Sequence, residues 1–417
     1  MFCRIYLYSL SLVLASFPLL AADWPQFRGP NRDGASDDGA TPITWDESTN
    51  VVWKQKLPGH GSSSPIVVDG KAFLTCYSGY GFEERSPGEQ SALVRHVLAF
   101  DLTTGKPDWD FPAPAKLPEE DFRGFQALHG YASSTPASDG KMLYVFFGKS
   151  GVGAMTLDGK PKWSQSVGEG KHGWGSATSP VLYKNLVIVN ASVESGTLVA
   201  LDKATGKQVW SAKGVRSAWN SPVLVTPESG KTEVVISSQS EILAYDADSG
   251  TPAWRCSGVK DYVCPTVLVH GDVVYAIGAR AGMGVAVKAG GKGNVAPMWE
   301  MGKGSNVSSP VFHKDHLYWA HESRGVVYCA NAKTGEIVYE ERLQPSADRI
   351  YASGVLAGDK IYYVSRNRGV YVVAADPQFK LLAHNQPLDK SVFNASPSVV
   401  DGKLLLRSNE YLYCLGK

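Results

Sequence analysis

The chain carries almost no net charge: 41 Lys and Arg stand against 40 Asp and Glu, and charged residues make up only 19% of its 417 positions. Without a basic field there is no electrostatic footprint for nucleic acid, and no acidic block forms a solvating tail. Cysteine is scarce, six in all. None stands in a Cys-x-x-Cys-His arrangement, which excludes covalently attached c-type haem. Helical periodicity is nearly absent, and beyond residues 1–22 no apolar run is long enough to cross a bilayer. What the sequence does have is glycine (43), with 11 Trp and 19 Tyr, a composition suited to many tight turns and large packing residues.

Residues 1–22 hold Arg4, an apolar core from Leu10 to Leu20, and the small pair Ala21-Ala22. This is the pattern of a secretory signal peptide, too short to be a membrane helix. Cys3 precedes the apolar core, so no lipoprotein attachment site follows it. The expected mature chain is exported, periplasmic or extracellular, with no membrane span. Of the other cysteines, Cys256 and Cys264 flank a short loop where they can pair, whereas Cys329 and Cys414, in Tyr-Cys-Ala and Tyr-Cys-Leu, read as buried thiols.

The stretch from Ser179 to Trp210 holds three short apolar runs, an Asp202-Lys-Ala-Thr205-Gly206 turn, and Val209-Trp210. Strands this short need neighbours to be stable. Copies exist. The Asp-x-x-Thr/Ser-Gly-x-x-x-Trp ending recurs at Asp101–Trp109 and Asp246–Trp254, and shortened at Trp163. Openings recur at Pro65, Pro136, Pro180, Pro222, Pro310 and Pro397, with Cys264-Pro265 and Ser353-Gly354 filling two further slots. From Pro136 onward they are 42 to 45 residues apart by subtraction. Four strands per forty-odd residues, repeated eight times, predict an all-β fold: an eight-bladed propeller of four-stranded blades. Trp53, Trp109, Trp163, Trp210, Trp254 and Trp299 are its expected structural wedges between blades. Val51–Leu57 has the character of a last strand with no blade before it, and Tyr411–Leu415 ends one strand short. The first should complete the last blade and close the ring over residues 51–417, leaving 23–50 as an extended arm anchored by Trp24 and Phe27. Longer connections at 78–95 and 110–128 interrupt the period near the mouth.

Function is expected where the copies differ, in the loops that lead into each inner strand. These offer His60, His129 and Tyr131, His172 and Trp174, Trp219 and Asn220, Tyr262, Asn306, Arg349 and Tyr351, and Asn394. Such a ring suits a protein or carbohydrate ligand. Three His on successive blades are too spread around a ring to share a metal ion, so no metal site is assigned. No nucleophile elbow or other catalytic motif stands out, and no catalytic residue is assigned. A monomer is expected.

The Ala200-Leu-Asp202-Lys-Ala-Thr205-Gly206-Lys207-Gln-Val-Trp210 ending resembles the tryptophan-docking repeat of the pyrroloquinoline-quinone (PQQ) propellers. That superfamily includes the quinoprotein alcohol dehydrogenases and the outer-membrane barrel-assembly propeller lipoprotein. Together with Trp24-Pro-Gln-Phe-Arg-Gly-Pro-Asn-Arg-Asp-Gly34, this repeat resembles that of secreted PQQ-repeat proteins of planctomycete-type bacteria, a group generally without an assigned activity. The resemblance implies PQQ with calcium as the cofactor if the chain is an oxidoreductase. Against that, the dehydrogenases' adjacent-cysteine disulfide is missing, and their calcium set does not map residue by residue; Asp261, Asn306 and Glu322 are the available oxygen ligands. The favoured expectation is a non-catalytic binding or scaffold module.

Overall fold

A computed structural model describes residues 23–228, 230–280 and 282–417; the leader assigned to residues 1–22 lies outside them. Eight antiparallel sheets follow one another around the ring. Blade three shows the plan: Val181–Tyr183, Leu186–Ala191, Thr197–Asp202 and Gln208–Lys213, hydrogen-bonded in that order. Leu186–Ala191 is buried throughout, because both of its faces meet neighbouring blades, and it therefore reads as an apolar run interrupted only by Asn190, whose amide donates to the Ala218 and Asn220 carbonyls. Gln208–Lys213 alternates, with Trp210 and Ala212 turned inward and polar residues turned out.

The turn before that outer strand is built by Asp202, whose Oδ1 accepts from the Thr205 backbone N–H at 2.9 Å and from the Thr205 hydroxyl at 2.7 Å. Gly206 follows at φ +73°, and a Cβ there would stand 2.5 Å from the Trp163 ring. Glycine is thus required both by the backbone and by the indole lying on it. Trp163 of blade two also donates Nε1–H to the Lys203 carbonyl of blade three at 2.8 Å. Trp53, Trp109, Trp210 and Trp299 repeat the arrangement, each donating to a carbonyl of the next blade. Trp254 departs from it. Blade five lacks the usual turn; there Gly293–Val295 runs parallel to Pro252–Ser257 as an added strand. Trp254 donates instead to Glu233 of its own blade, at 2.7 Å.

Val51–Lys56 pairs antiparallel with Tyr411–Leu415, Trp53 opposite Cys414, so the first strand of the ring is the outer strand of blade eight. Closure leaves no unpaired sheet edge at the joint.

Residues 24–42 cross the underside of this ring. Trp24 bridges to Val67 in blade one, the Pro25 carbonyl accepts from Ser138 in blade two, and Ala35–Ser36 adds a parallel strand to Val355–Ala357 in blade seven. Between these points Arg28 is fully buried and donates to the carbonyls of Asp33 and of Pro310 in blade six. Burial pushes its guanidinium down to about 10. Among the described residues the one α-helix is Gly124–His129, and no helix is long and apolar enough to cross a membrane. Cys256 and Cys264 do not pair: both are free thiols, as are Cys76, Cys329 and Cys414, with all but Cys264 buried.

Candidate functional site

Each blade's innermost strand is preceded by a hydroxyl residue, and these residues fasten the blades to one another. The Ser64 backbone N–H donates to Thr135 Oγ1 at 2.9 Å, Thr135 to Ser179 Oγ at 3.0 Å, and Ser179 to Ser221 Oγ at 2.8 Å. The series continues from Ser221 to Thr266 Oγ1 at 3.2 Å, Thr266 to Ser309 Oγ at 2.9 Å, Ser309 to Ser353 Oγ at 3.1 Å, and Ser353 to Ser396 Oγ at 2.9 Å. Every bond passes from one blade to the next. In blade five the residue is Thr266, so the lead-in is Thr266-Val267, two positions beyond the Cys264-Pro265 expected from the spacing. The joint between blades eight and one uses another device: Arg407, buried, donates to the Ser63 carbonyl and hydroxyl at 2.7 Å each, and Ser398 Oγ donates to the Pro65 carbonyl.

Above this belt lies a cavity of about 350 Å³, with Phe27 of the arm among its lining residues. Its wall divides by chemistry. On one side Trp174 packs among Phe125 (4.9 Å between ring centres), Trp219 (4.9 Å) and Tyr262 (4.3 Å). On the other stand Asn306, Glu322, Arg349, Tyr351 and Asn394. The Tyr262 hydroxyl ties the halves together, accepting from Asn306 Nδ2 at 2.8 Å and from Arg280 Nε at 3.2 Å. Asn394 Nδ2 donates to the Leu128 carbonyl at 2.8 Å. Those bonds fix both amides, and leave Asn306 Oδ1 and Asn394 Oδ1 buried with no protein partner. The belt hydroxyls use an oxygen lone pair to join the blades, so their O–H groups remain as donors at the cavity floor. The site therefore offers acceptors, donors and an aromatic surface together.

His129 lines the cavity yet is not available for chemistry. Its Nε2 lies 2.7 Å from the Trp174 carbonyl, which can only accept, so Nε2 carries the proton; Nδ1 then accepts from Ser133 Oγ at 2.6 Å. Burial, with Arg366 adding like charge, lowers its pKa and keeps the ring neutral. His129 is a strut holding the Trp174 loop.

The two long connections fold together as one wall beside the mouth. Gln90 Oε1 accepts from Glu119 N at 2.8 Å, and Arg95 meets Glu119 at 2.5 Å with both side chains nearly buried. The connection from blade one to blade two continues into Gly124–His129, which brings Phe125 and Leu128 to the cavity.

With fold and cavity described, comparison with known proteins is direct. A family model described as outer membrane protein assembly factor BamB matches residues 34–171, 92–255 and 171–380. The chain belongs to this PQQ-repeat family. No curated protein matches it. Among solved structures, BamB from Moraxella catarrhalis is 16% identical, with a TM-score of 0.61 over 88% of this chain and 97% of that one. A europium-containing methanol dehydrogenase is 11% identical, with a TM-score of 0.69 over 95% and 98%. Quinohemoprotein alcohol dehydrogenase from Comamonas testosteroni is 14% identical, with a TM-score of 0.66 over 95% and 80%. At such identities these likenesses establish the propeller and nothing of its chemistry.

Within this PQQ-repeat propeller, eight of the twelve residues proposed from sequence line the cavity: His129, Trp174, Trp219, Tyr262, Asn306, Arg349, Tyr351 and Asn394. Four stand elsewhere. Tyr131 is buried among Tyr77, Tyr80 and Phe122. Asn220 is spent on backbone, donating to the carbonyls of Ser237 and Val263. His60 packs on Phe82, 4.3 Å away, and His172 packs edge-on behind Trp219 at 4.9 Å. Sequence reading missed Phe125 and Leu128, which sit in an insertion with no counterpart in other blades. It also missed the hydroxyl belt, although Ser before Pro was visible in several openings.

Proposed function

We propose that the protein is an exported, monomeric binding module whose cavity takes a carbohydrate of mono- or disaccharide size. The divided wall carries this reading. A sugar ring presents C–H faces and a rim of hydroxyls that both donate and accept. Trp174, Trp219 and Tyr262 suit the faces; Asn306 Oδ1, Asn394 Oδ1, Glu322 and Arg349 suit the rim. Protein capture, the reading closest to the name of the BamB relatives, draws support from the family but has a weaker basis in a recessed cavity of about 350 Å³. Calorimetric titration with a panel of soluble mono- and disaccharides tests the proposal. Trp174→Ala should abolish measurable binding of whichever sugar binds while the thermal midpoint stays near that of the parent. A parent protein that binds none, or a variant that binds as well as the parent, removes this reading.

A second reading, a PQQ-dependent oxidoreductase acting on an alcohol or sugar, draws on Asn306 and Glu322 standing together, with Asn306 N donating to Glu322 Oε2 at 3.0 Å. The residues fit that cofactor pair poorly. Glu322 is the one carboxylate among the described lining residues, whereas a calcium ion takes six to eight oxygens. The Trp174 ring meets Trp219 at 41° and Tyr262 at 74°, which leaves no parallel slot among these three rings for a planar quinone. Absorbance of added PQQ and reduction of an acceptor dye decide between the readings: dye turnover overturns the binding-module proposal.

A further inference from the structure

Behind the aromatic wall, between the lead-in to blade two and the upper loops of blade three, lies a separate chamber of about 30 Å³. Three side chains turn oxygens toward it: Gln126 with Oε1 and Ser134 with Oγ, which meet no protein hydrogen-bond partner, and Glu194 with both carboxylate oxygens, which have the Ser176 hydroxyl as a neighbour but no well-aligned donor. All three are buried, at 4%, 2% and 6% exposure. The orientation of Gln126 is not arbitrary. Its Nε2 donates to the Gly130 carbonyl at 2.8 Å, so Oε1 is the atom left facing the chamber. Glycines keep space around these oxygens: a Cβ on Gly148 would stand 3.1 Å from Glu194 Oε1, and one on Gly175 would stand 2.1 Å from Gln126 Oε1.

The cations nearby are already engaged. Arg95 pairs with Glu119 and donates to the Tyr131 carbonyl, and Lys149 Nζ donates to the Pro118 carbonyl at 2.7 Å. Burial, with Glu119 adding like charge, pushes the Glu194 carboxyl up to about 7. A buried carboxylate that ionises without a counter-charge is penalised by several kcal/mol, and a positive occupant would remove that penalty. The chamber's volume admits one ion with a water or two, at roughly 10–15 Å³ for each water. The donors are all oxygen, which selects a hard cation. One carboxylate able to bind through both oxygens, with neutral amide and hydroxyl oxygens beside it, matches the adaptable shell of calcium better than the strict octahedron of magnesium.

We propose that Glu194, Gln126 and Ser134 form a binding site for a divalent hard cation of the calcium class. The ion joins three pieces: the helix Gly124–His129, the Ser134 lead-in that follows it, and the blade-three loop that holds Glu194. Because Phe125 and Trp174 flank the residues concerned, the ion also braces the aromatic wall. The proposal stands whether or not the main cavity takes a sugar.

The test uses the full mature chain, dialysed against chelator and titrated calorimetrically with CaCl₂, with thermal unfolding in parallel. One equivalent of Ca²⁺ should bind and raise the midpoint, and Mg²⁺ should bind about tenfold more weakly. Glu194→Gln should lower calcium affinity by about tenfold or more, and Gln126→Ala, which leaves the charge in place, should lower it by a smaller factor. Glu322→Gln, which alters the carboxylate of the main cavity, should leave calcium binding unchanged. No uptake up to about 1 mM, the weak end for extracellular calcium modules, overturns the proposal. So does uptake undiminished in both Glu194→Gln and Gln126→Ala, or uptake lost in Glu322→Gln instead.

Discussion

Trp219 and Ser221, Tyr351 and Ser353, and Asn394 and Ser396 each stand two positions apart, yet the members of each pair answer to different rules. The hydroxyl residues, Ser in six blades and Thr in two, occupy one place in every blade, and at seven of the eight joints one of them accepts a backbone N–H from the neighbouring blade. Their neighbours occupy equivalent places and share almost nothing: an indole, a phenol and an amide, facing one cavity. The belt repeats because seven joints pose the same problem; only the closing joint is made differently. The mouth diverges because a ligand is not eightfold symmetric. A single short loop thus carries a structural residue and a recognition residue side by side, and substitutions two positions apart should separate stability from binding.

The largest effect should come from taking away what closes the ring. Deleting residues 51–57 removes the outer strand of blade eight and the Trp53 wedge together, and should abolish cooperative thermal unfolding. A deletion variant that melts as the parent does would show that the closing pair is dispensable. Trp210→Ala removes an indole buried between blades three and four, and should cost about 3–5 kcal/mol in denaturant unfolding without altering ligand affinity. Ser221→Ala takes the acceptor from the buried Ser179 N–H and should cost about 1–3 kcal/mol. If that variant lost binding and kept its stability, the division between belt and mouth would fail.

The smallest effect concerns His129, a mouth residue that the geometry places with the scaffold. Its pKa in the folded protein lies below the usual 6.5, so the unfolded chain takes up the proton first. Stability is then complete above about pH 6.5 and declines as pH falls toward the lower folded value. His129→Gln should flatten that decline, seen as a smaller difference in thermal midpoint between about pH 5 and pH 7. An unchanged slope would mean that other groups set the acid limit.

The fold was legible because its blade is written eight times, and because the Asp-x-x-Thr-Gly turn builds itself from residues adjacent in sequence and sets the following Trp at a fixed place against the next blade. The ring closure was legible from two incomplete ends. The site was legible only in part. Tyr131 and Asn220 lie in the right loops, but one turns into an aromatic cluster and the other pays backbone hydrogen bonds, and loop position alone does not tell which way a side chain faces. Phe125 reaches the cavity from an insertion that no other copy could calibrate. The Glu194 chamber was illegible for a related reason, since its oxygens come from three segments that meet only once the blades have docked.

The pairing of Val51–Lys56 with Tyr411–Leu415 also sets an order of events. The strand that seals the ring is the first of its strands to be synthesised and the last to find its partner, because that partner is the last strand of the ring in chain order. Until then the N-terminal end of the ring has no sheet to join, and the entropy of bringing the chain ends together is met in one late step. Before that step the chain is an open string of blades; after it, no blade can leave without breaking two joints. The clasp therefore acts in time as well as in space, keeping the ring open until its last strand is made and then making its opening a collective event.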